Sequence, residues 1–387
     1  MSIAIINIGR SHRGDLGGTA LSGDALVCDG GLVSWIGATA DVVPGDHAQT
    51  VDARGAGVVP GLIDSHVHIT FGDYTPRQQT VGYLESYLHG GMTRAISASE
   101  VHVPGRPSDP AGVKALAIAA QRCFAEYRPG GVTVHAGSVI LEPGLTPADF
   151  AELHAQGVWL AKAGFGAVSD PLEYVELVGD ARAAGLITTA HTGGGSIPGS
   201  LDRIDAAAIL AMNPHVSFHV NGGPTAMSAD DNVRIVKEGG DIALQLAMAG
   251  NLRSALQISR LAREHGQEHR LLISTDTPTG TGVVPLGMWH LMAELVSLEA
   301  LTPELAVAAA TGSVGRTYGL KAGILEVGRP ADLLVVDAPL GSVGDDWAGA
   351  LEVGDMPAVC AAITEGELRF TKSRNTPAPK RPVALSA

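Results

Sequence analysis

Two rhythms of apolar and polar positions run along the chain. Residues 3–6, 25–28 and 32–36 (Leu32-Val33-Ser34-Trp35-Ile36) are short β-like runs separated by Gly/Asp turns such as Asp29-Gly30-Gly31. They predict a small antiparallel sheet. From Val58 to about Gly319 the rhythm becomes an apolar strand followed by an Ala- and Leu-rich helical segment, repeated, which is the pattern of a parallel α/β fold. Eight candidate strands are found, at 58–66, 92–98, 132–140, 157–162, 186–191, 215–220, 241–247 and 271–276, and eight such units fit a (β/α)8 TIM barrel. Between them, Pro110 to Ala125 reads as a helix, and Thr302-Pro303-Glu304-Leu305 as a capping-box start with proline at the first helical position. Beyond the barrel, Gly323 to Gly328, Ala331 to Asp337 and Val359 to Phe370 return to strand-like runs. These are expected to rejoin the N-terminal strands, giving a discontinuous β-sandwich domain (1–57 and 322–387) around a barrel domain (58–321). The Pro-rich, basic tail from Lys372 is expected to be a frayed end or a strap on a neighbouring subunit.

Composition narrows the function classes. The chain has 387 residues, which suits one large enzyme domain with an accessory domain. Its 50 glycines, nearly twice the usual share, fit many tight βα turns. A formal charge of −14 argues against nucleic acid or an anionic membrane as partner, and leaves a small-molecule substrate. The N-terminus lacks a signal-peptide pattern and no apolar run is long enough to span a membrane, so a cytoplasmic protein is expected. Cys28, Cys123 and Cys360 lie far apart and form no Cys-x-x-Cys pair. They read as buried small apolar residues rather than a disulfide framework or thiolate zinc site.

The first barrel strand ends unlike a plain core strand, in Asp64-Ser65-His66-Val67-His68. Residues two apart on a strand point to the same side, so His66 and His68 aim two imidazoles at one point. That point lies at the C-terminal end of the strand, where barrel active sites are built. The following loop carries Asp73, Tyr74 and Arg77. Taken alone, His-x-His fits a hydrogen-bonded polar layer equally well. Four further strand ends change the picture. The fourth strand closes in Lys162, an odd residue after an apolar run, although a lone lysine there would ordinarily snorkel to solvent. The fifth ends in His191, the sixth places His219 before Asn221-Gly222-Gly223, and the eighth ends in Asp276. Each singly reads as structural; together all six face one rim as candidate metal ligands.

With these residues, and with Gly323 to Leu333 marking the flanking sheet, nearly the whole chain resembles the amidohydrolase superfamily, specifically its binuclear metal members. Several loops are most similar to the branch that opens cyclic enamides such as 6-oxo-tetrahydronicotinate. They are Gly72-Asp73-Tyr74, Pro76-Arg77-Gln78, His89-Gly90-Gly91, Pro104-Gly105-Arg106-Pro107, His191-Thr192-Gly193-Gly194, Asn221 to Ala226 and Lys372 to Pro377. The resemblance implies that His66, His68 and Asp276 hold one divalent ion, and His191 and His219 a second. Carboxylated Lys162 would bridge both, and zinc, zinc with iron, or manganese would suit the donors. The enamide-opening branch is expected to carry glutamate where Lys162 falls. Other binuclear members, such as dihydropyrimidinase and dihydroorotase, use carboxylated lysine to supply the same bridging carboxylate. A hydroxide held between the metals would attack the amide, with Asp276 as the catalytic residue that carries its proton to the leaving nitrogen. His135 or Tyr74 could polarise the carbonyl, and Arg77 or Arg106 could pair with a substrate carboxylate, surface arginine being the plainer reading. His89 and His102 are assigned structural and loop roles. A homo-oligomer, a tetramer, is also implied.

Other readings remain. A dihydropyrimidinase- or hydantoinase-like enzyme would use the same ligands on another cyclic amide or imide. A mononuclear deaminase would place His-x-x-Glu after strand five, whereas His191 is followed by Thr192, Gly193 and Gly194. A non-catalytic relative would be expected to have lost ligands, and all six positions are filled.

Overall fold

Short aliphatic runs between Gly/Asp turns form sheets at both chain ends because β-branched side chains fit a pleated, half-buried surface. The computed structural model describes residues 2–68, 80–100, 106–194, 203–223, 225–278 and 282–386. Ile3–Ile6 pairs antiparallel with Ala25–Asp29 and parallel with Gln49–Asp52, and Ala25–Asp29 pairs with Leu32–Gly37. The far end of the chain completes this sheet, as Ala384–Ser386 joins Gln49–Asp52. A second sheet runs Glu367–Phe370, Ala358–Thr364, Leu333–Asp337, Gly57–Pro60. Ile3, Ile5, Leu26, Val58, Leu333 and Val335 bury against one another between the two, so both chain ends build a β-sandwich.

The barrel wall consists of Leu62–Val67, Met92–Ser97, Thr133–His135 with Ser138–Ile140, Leu160–Ala163, Ile187–His191, Val216–Phe218, Ala243–Ala247 and Leu271–Ser274. These are the first to eighth barrel strands, each parallel to its neighbour. The circle closes where Asp276 N donates to His66 O and His68 N donates to Thr277 O, both at 2.9 Å.

Two strands differ from expectation. The run 58–66 divides: Gly57–Pro60 stays in the sandwich against Leu333–Asp337, and only Leu62–Val67 enters the barrel. Gly61 lies between them, where a Cβ would lie 2.1 Å from Thr93 Oγ1. The run 132–140 is broken at Gly137 (φ +97°), its first part pairing with the second strand and its last with the fourth. The buried carboxylate of Glu100 accepts from the amides freed at the break, Gly137 N (2.6 Å) and Ser138 N (3.1 Å).

The helix Pro110–Ala125 has the expected bounds, capped by Asp109. At Pro303–Ala310 Thr302 caps Leu305 N, but no capping box closes, because the third helical residue is Leu305, whose side chain has no acceptor; Glu304, one position earlier, pairs with Arg10 (2.5 Å). The cysteines are free; Cys28 and Cys360 are buried as expected, whereas Cys123 is exposed on its helix. The tail is not frayed: it is tied to the body of the protein before it joins the first sheet at Ala384–Ser386. Ser373 Oγ donates to His89 O (2.6 Å), Asn375 Nδ2 donates to Ser86 O (2.7 Å), and Arg381 pairs with buried Asp337. Among the described residues no helix is long and apolar enough to cross a membrane.

Barrel and sandwich are tied by Arg94 of the second strand, whose guanidinium meets Asp332 Oδ2 through Nε (2.7 Å) and a terminal nitrogen (2.6 Å). Both side chains are buried, so removing one partner strands the other charge. Arg94→Met should lower the unfolding free energy by about 3–5 kcal/mol, read from the denaturant midpoint. A loss below about 1 kcal/mol would mean that the pair is not the tie.

Candidate metal centre

The first strand delivers both of its histidines to the rim, and the closure with strand eight sets Asp276 against them. His66 Nε2 is 3.0 Å and His68 Nε2 3.2 Å from Asp276 Oδ1, and the three residues offer ligand atoms within 4.8 Å of one another. The next two candidates continue the group: the rings of His191 and His219 meet edge to face at 4.4 Å, and that of His219 lies 5.3 Å from His66. Lys162 ends inside the barrel, fully buried, with Nζ 4.1 Å from the centre of the Phe218 ring.

Burial sets the charge states. Loss of solvent pushes His68 down to about 4, His191 to about 3, and His219 well below the ordinary range, so these rings are neutral at pH 7 and present lone pairs. Burial opposes charge on Asp276 as well, but His66 and His68 outweigh it and hold the carboxyl well below its usual range. Around this ionised, buried carboxylate the neutral rings of His68, His191 and His219 present lone pairs, an arrangement suited to a divalent cation. Lys162 cannot readily supply the positive charge, since burial pushes its ammonium down to about 7. Its Nζ, His191 Nε2 and His219 Nδ1 find no hydrogen-bond partner among the described residues. Neutral nitrogens and one carboxylate form a donor set that fits zinc, iron(II) or manganese.

The backbone is bent to place these groups. Asp276 (φ +59°), His219 (φ +34°) and Phe165 (φ +67°) all follow barrel strands in a left-handed conformation rare outside glycine. Phe165 packs edge-on to His191 at 4.8 Å, and at Gly164 a Cβ would lie 2.5 Å from His191 Cβ.

The other sequence candidates divide. Tyr74, Arg77 and His102 lie outside the described residues. Arg106 is committed, donating from Nη1 to Glu142 Oε1 at 2.5 Å, with the Glu142 side chain wholly buried. His135 is not brought to the ligands: its ring packs at 5.7 Å against Trp159, which precedes the fourth strand, whereas Lys162 lies near that strand's other end. The inward face of a barrel strand spans several layers, and His135 occupies a lower one. His89 is structural, stacked on Phe370 at 4.2 Å.

Three supporting residues escaped sequence reasoning. Asp64, pushed up to about 7 by burial, accepts from Thr275 Oγ1 (2.5 Å), and from Thr275 N and His66 N (both 3.1 Å). Tyr87 bonds through its hydroxyl to Thr277 Oγ1. Gln245 Oε1 lies 2.7 Å from His66 Nδ1. A signal existed for Gln245, the one polar residue in Ala243-Leu244-Gln245-Leu246-Ala247.

Residues 58–365 match the amidohydrolase family. The chain is 43% identical to enamidase of Eubacterium barkeri over 383 residues, covering 98% of this chain and 99% of that one. It is 29% identical to imidazolonepropionase of Pseudomonas aeruginosa over 388 aligned positions, covering 86% and 91%. The crystal structure of enamidase superposes with a TM-score of 0.94 at 42% identity, covering 100% of both chains.

His135 gives a test of its exclusion from the site. Burial, then the nearby charges of Arg94 and Arg128, push it down to about 3. An unfolded-chain histidine takes up its proton near about pH 6.5. Between those values the unfolded state binds a proton that the folded state refuses, so this group costs stability as pH falls. His135→Gln should therefore lose less stability than wild type on acidification through that window, with metal content unchanged. Equal acid profiles would contradict a buried neutral ring, and loss of turnover in His135→Gln with metal content unchanged would return His135 to the site.

Proposed function

We propose, for a chain that belongs to the amidohydrolase family, hydrolysis of the C–N bond in a small cyclic amide, specifically an enamide ring bearing a carboxylate. The observation that carries this reading is likeness to enamidase across both full chains. Its site is compatible: His66, His68 and Asp276 would hold one divalent ion, His191 and His219 a second, and Lys162 as a carbamate would join them. When bound, such ions lower the pKa of water toward neutrality and polarise a carbonyl oxygen.

The chain's own residues supply the rest. Asp276, kept ionised, takes the proton from the attacking water at its carboxylate and passes it to the ring nitrogen. The amide carbon gains oxygen, its bond to nitrogen breaks, and a carboxylate and an enamine result. The enamine then adds a second water and expels ammonia, leaving an aldehyde. Lys162 reaches its working form by adding carbon dioxide at neutral Nζ and releasing one proton, a step that burial favours by making the neutral amine available near pH 7. Tyr74 would donate to the carbonyl oxygen, and Arg77, or Arg106 on leaving Glu142, would pair with the substrate carboxylate. A cytoplasmic homo-oligomer, a tetramer by family likeness, without nucleic-acid or membrane partners, completes the proposal. One residue favours a second reading: Lys162 suits dihydropyrimidinase- or hydantoinase-like hydrolysis of another cyclic amide or imide.

Substrate turnover separates the two. Metal-loaded protein given 6-oxo-tetrahydronicotinate should release ammonia and a carbonyl product in equal amounts. Turnover of hydantoins or dihydropyrimidines with none of the enamide would establish the second reading instead. His191→Ala and Asp276→Ala should each abolish activity without unfolding the barrel, since both lie at its rim.

Activity of metal-stripped protein should return faster when bicarbonate accompanies the metal, and short carboxylic acids should partly rescue Lys162→Ala. Recovery indifferent to bicarbonate, together with a bare amine in active, loaded crystals, would rule out the carbamate.

A further inference from the structure

The seventh barrel strand carries none of the six proposed ligands, yet it places an amide at the centre of the site. Gln245 is fully buried, and its two ends face groups whose hydrogen-bonding roles admit no choice. Nε2 lies 3.4 Å from the carbonyl oxygen of Ser65, which can only accept, and donates to Ser65 Oγ at 2.7 Å. Oε1 lies 3.5 Å from the backbone N–H of His219, which can only donate. Both constraints fix the amide the same way round. Oε1 therefore faces His66 Nδ1 at 2.7 Å as an acceptor, and Nδ1 must carry the proton. With the proton fixed on Nδ1, the nitrogen left to take a cation is Nε2, and that is the one 3.0 Å from Asp276 Oδ1. A divalent ion bound there would meet the ring's lone pair and the carboxylate together.

We infer that Gln245 is a positioning residue that sets the tautomer of His66 and thereby the affinity of the His66–His68–Asp276 site for a divalent ion. Through the backbone of His219 the same amide also touches the element carrying a ligand of the second proposed site. The inference rests on the metal-binding part of the function proposed above and is independent of the substrate. An oriented partner on the far nitrogen of a ligating histidine fixes the ring and raises its basicity, and its removal typically costs 10–100-fold in metal affinity.

The test is competition for zinc between the full chain and a chromophoric chelator. Gln245→Leu should raise the zinc dissociation constant about 10–100-fold, whereas Gln245→Glu, which keeps an acceptor against Nδ1, should restore most of that loss. In nitrogen NMR of histidine-labelled, cadmium-loaded wild-type protein, the coupling to the metal should appear on His66 Nε2, with Nδ1 protonated. Wild-type affinity in Gln245→Leu, or cadmium coupling at His66 Nδ1, would overturn the inference. Should Gln245→Leu fail to fold, Gln245→Glu and the NMR assignment decide: a Gln245→Glu affinity as weak as that of His66→Ala also overturns it. Wild-type protein that takes up no zinc would overturn the metal reading and this inference with it.

Discussion

The site depends on how the eighth barrel strand closes against the first. Two backbone hydrogen bonds, Asp276 N to His66 O and His68 N to Thr277 O, join segments about two hundred residues apart. The residues flanking Asp276 are tied down by their hydroxyls, Thr275 to Asp64 and Thr277 to Tyr87. With its neighbours fixed, Asp276 is held at positive φ, a conformation that costs about 1–3 kcal/mol and persists only where the surroundings impose it. The result is a carboxylate delivered to two imidazoles that local sequence could never bring together.

That delivery creates an electrostatic problem within the fold itself. The barrel mouth buries neutral imidazoles, an ionised carboxylate and a lysine whose ammonium is disfavoured, and burial of such groups without compensation is costly. The polar network around them holds the problem in place. Gln245 fixes one face of His66, and Asp64 accepts from the backbone on either side of the closure. A centre assembled this rigidly has little to rearrange when a cation arrives, which is how preorganised sites act on reacting groups. The family likeness and the donor chemistry therefore point the same way from independent starting points.

Much of this was legible in the chain. The strand-then-helix rhythm marked all eight barrel strands, and the residues closing the first and eighth converge in space as the barrel rule requires. Sequence periodicity was blind to breaks inside an apolar run. Nothing in the run 58–66 marks Gly61 as the point where sandwich becomes barrel, and the interruption at Gly137 depends on Glu100, 37 residues earlier. His135 was misjudged because strand alternation gives the face of a residue and not its depth. Gln245 was visible as a polar residue in an apolar strand, but its role needs the positions of Ser65, His66 and His219, which only the closed barrel supplies. That the tail is ordered rather than frayed could not be read locally, because its partners, His89, Ser86 and Asp337, are remote in sequence.

The most direct measurement is anomalous X-ray diffraction from crystals of the zinc-loaded protein. Two peaks per chain are expected. One should lie about 2.0–2.2 Å from His66 Nε2, His68 and Asp276, and the other should be bound by His191 and His219, with Lys162 between them. A single peak would contradict the binuclear centre, and no peak at the His66–His68–Asp276 triad would contradict the metal site altogether.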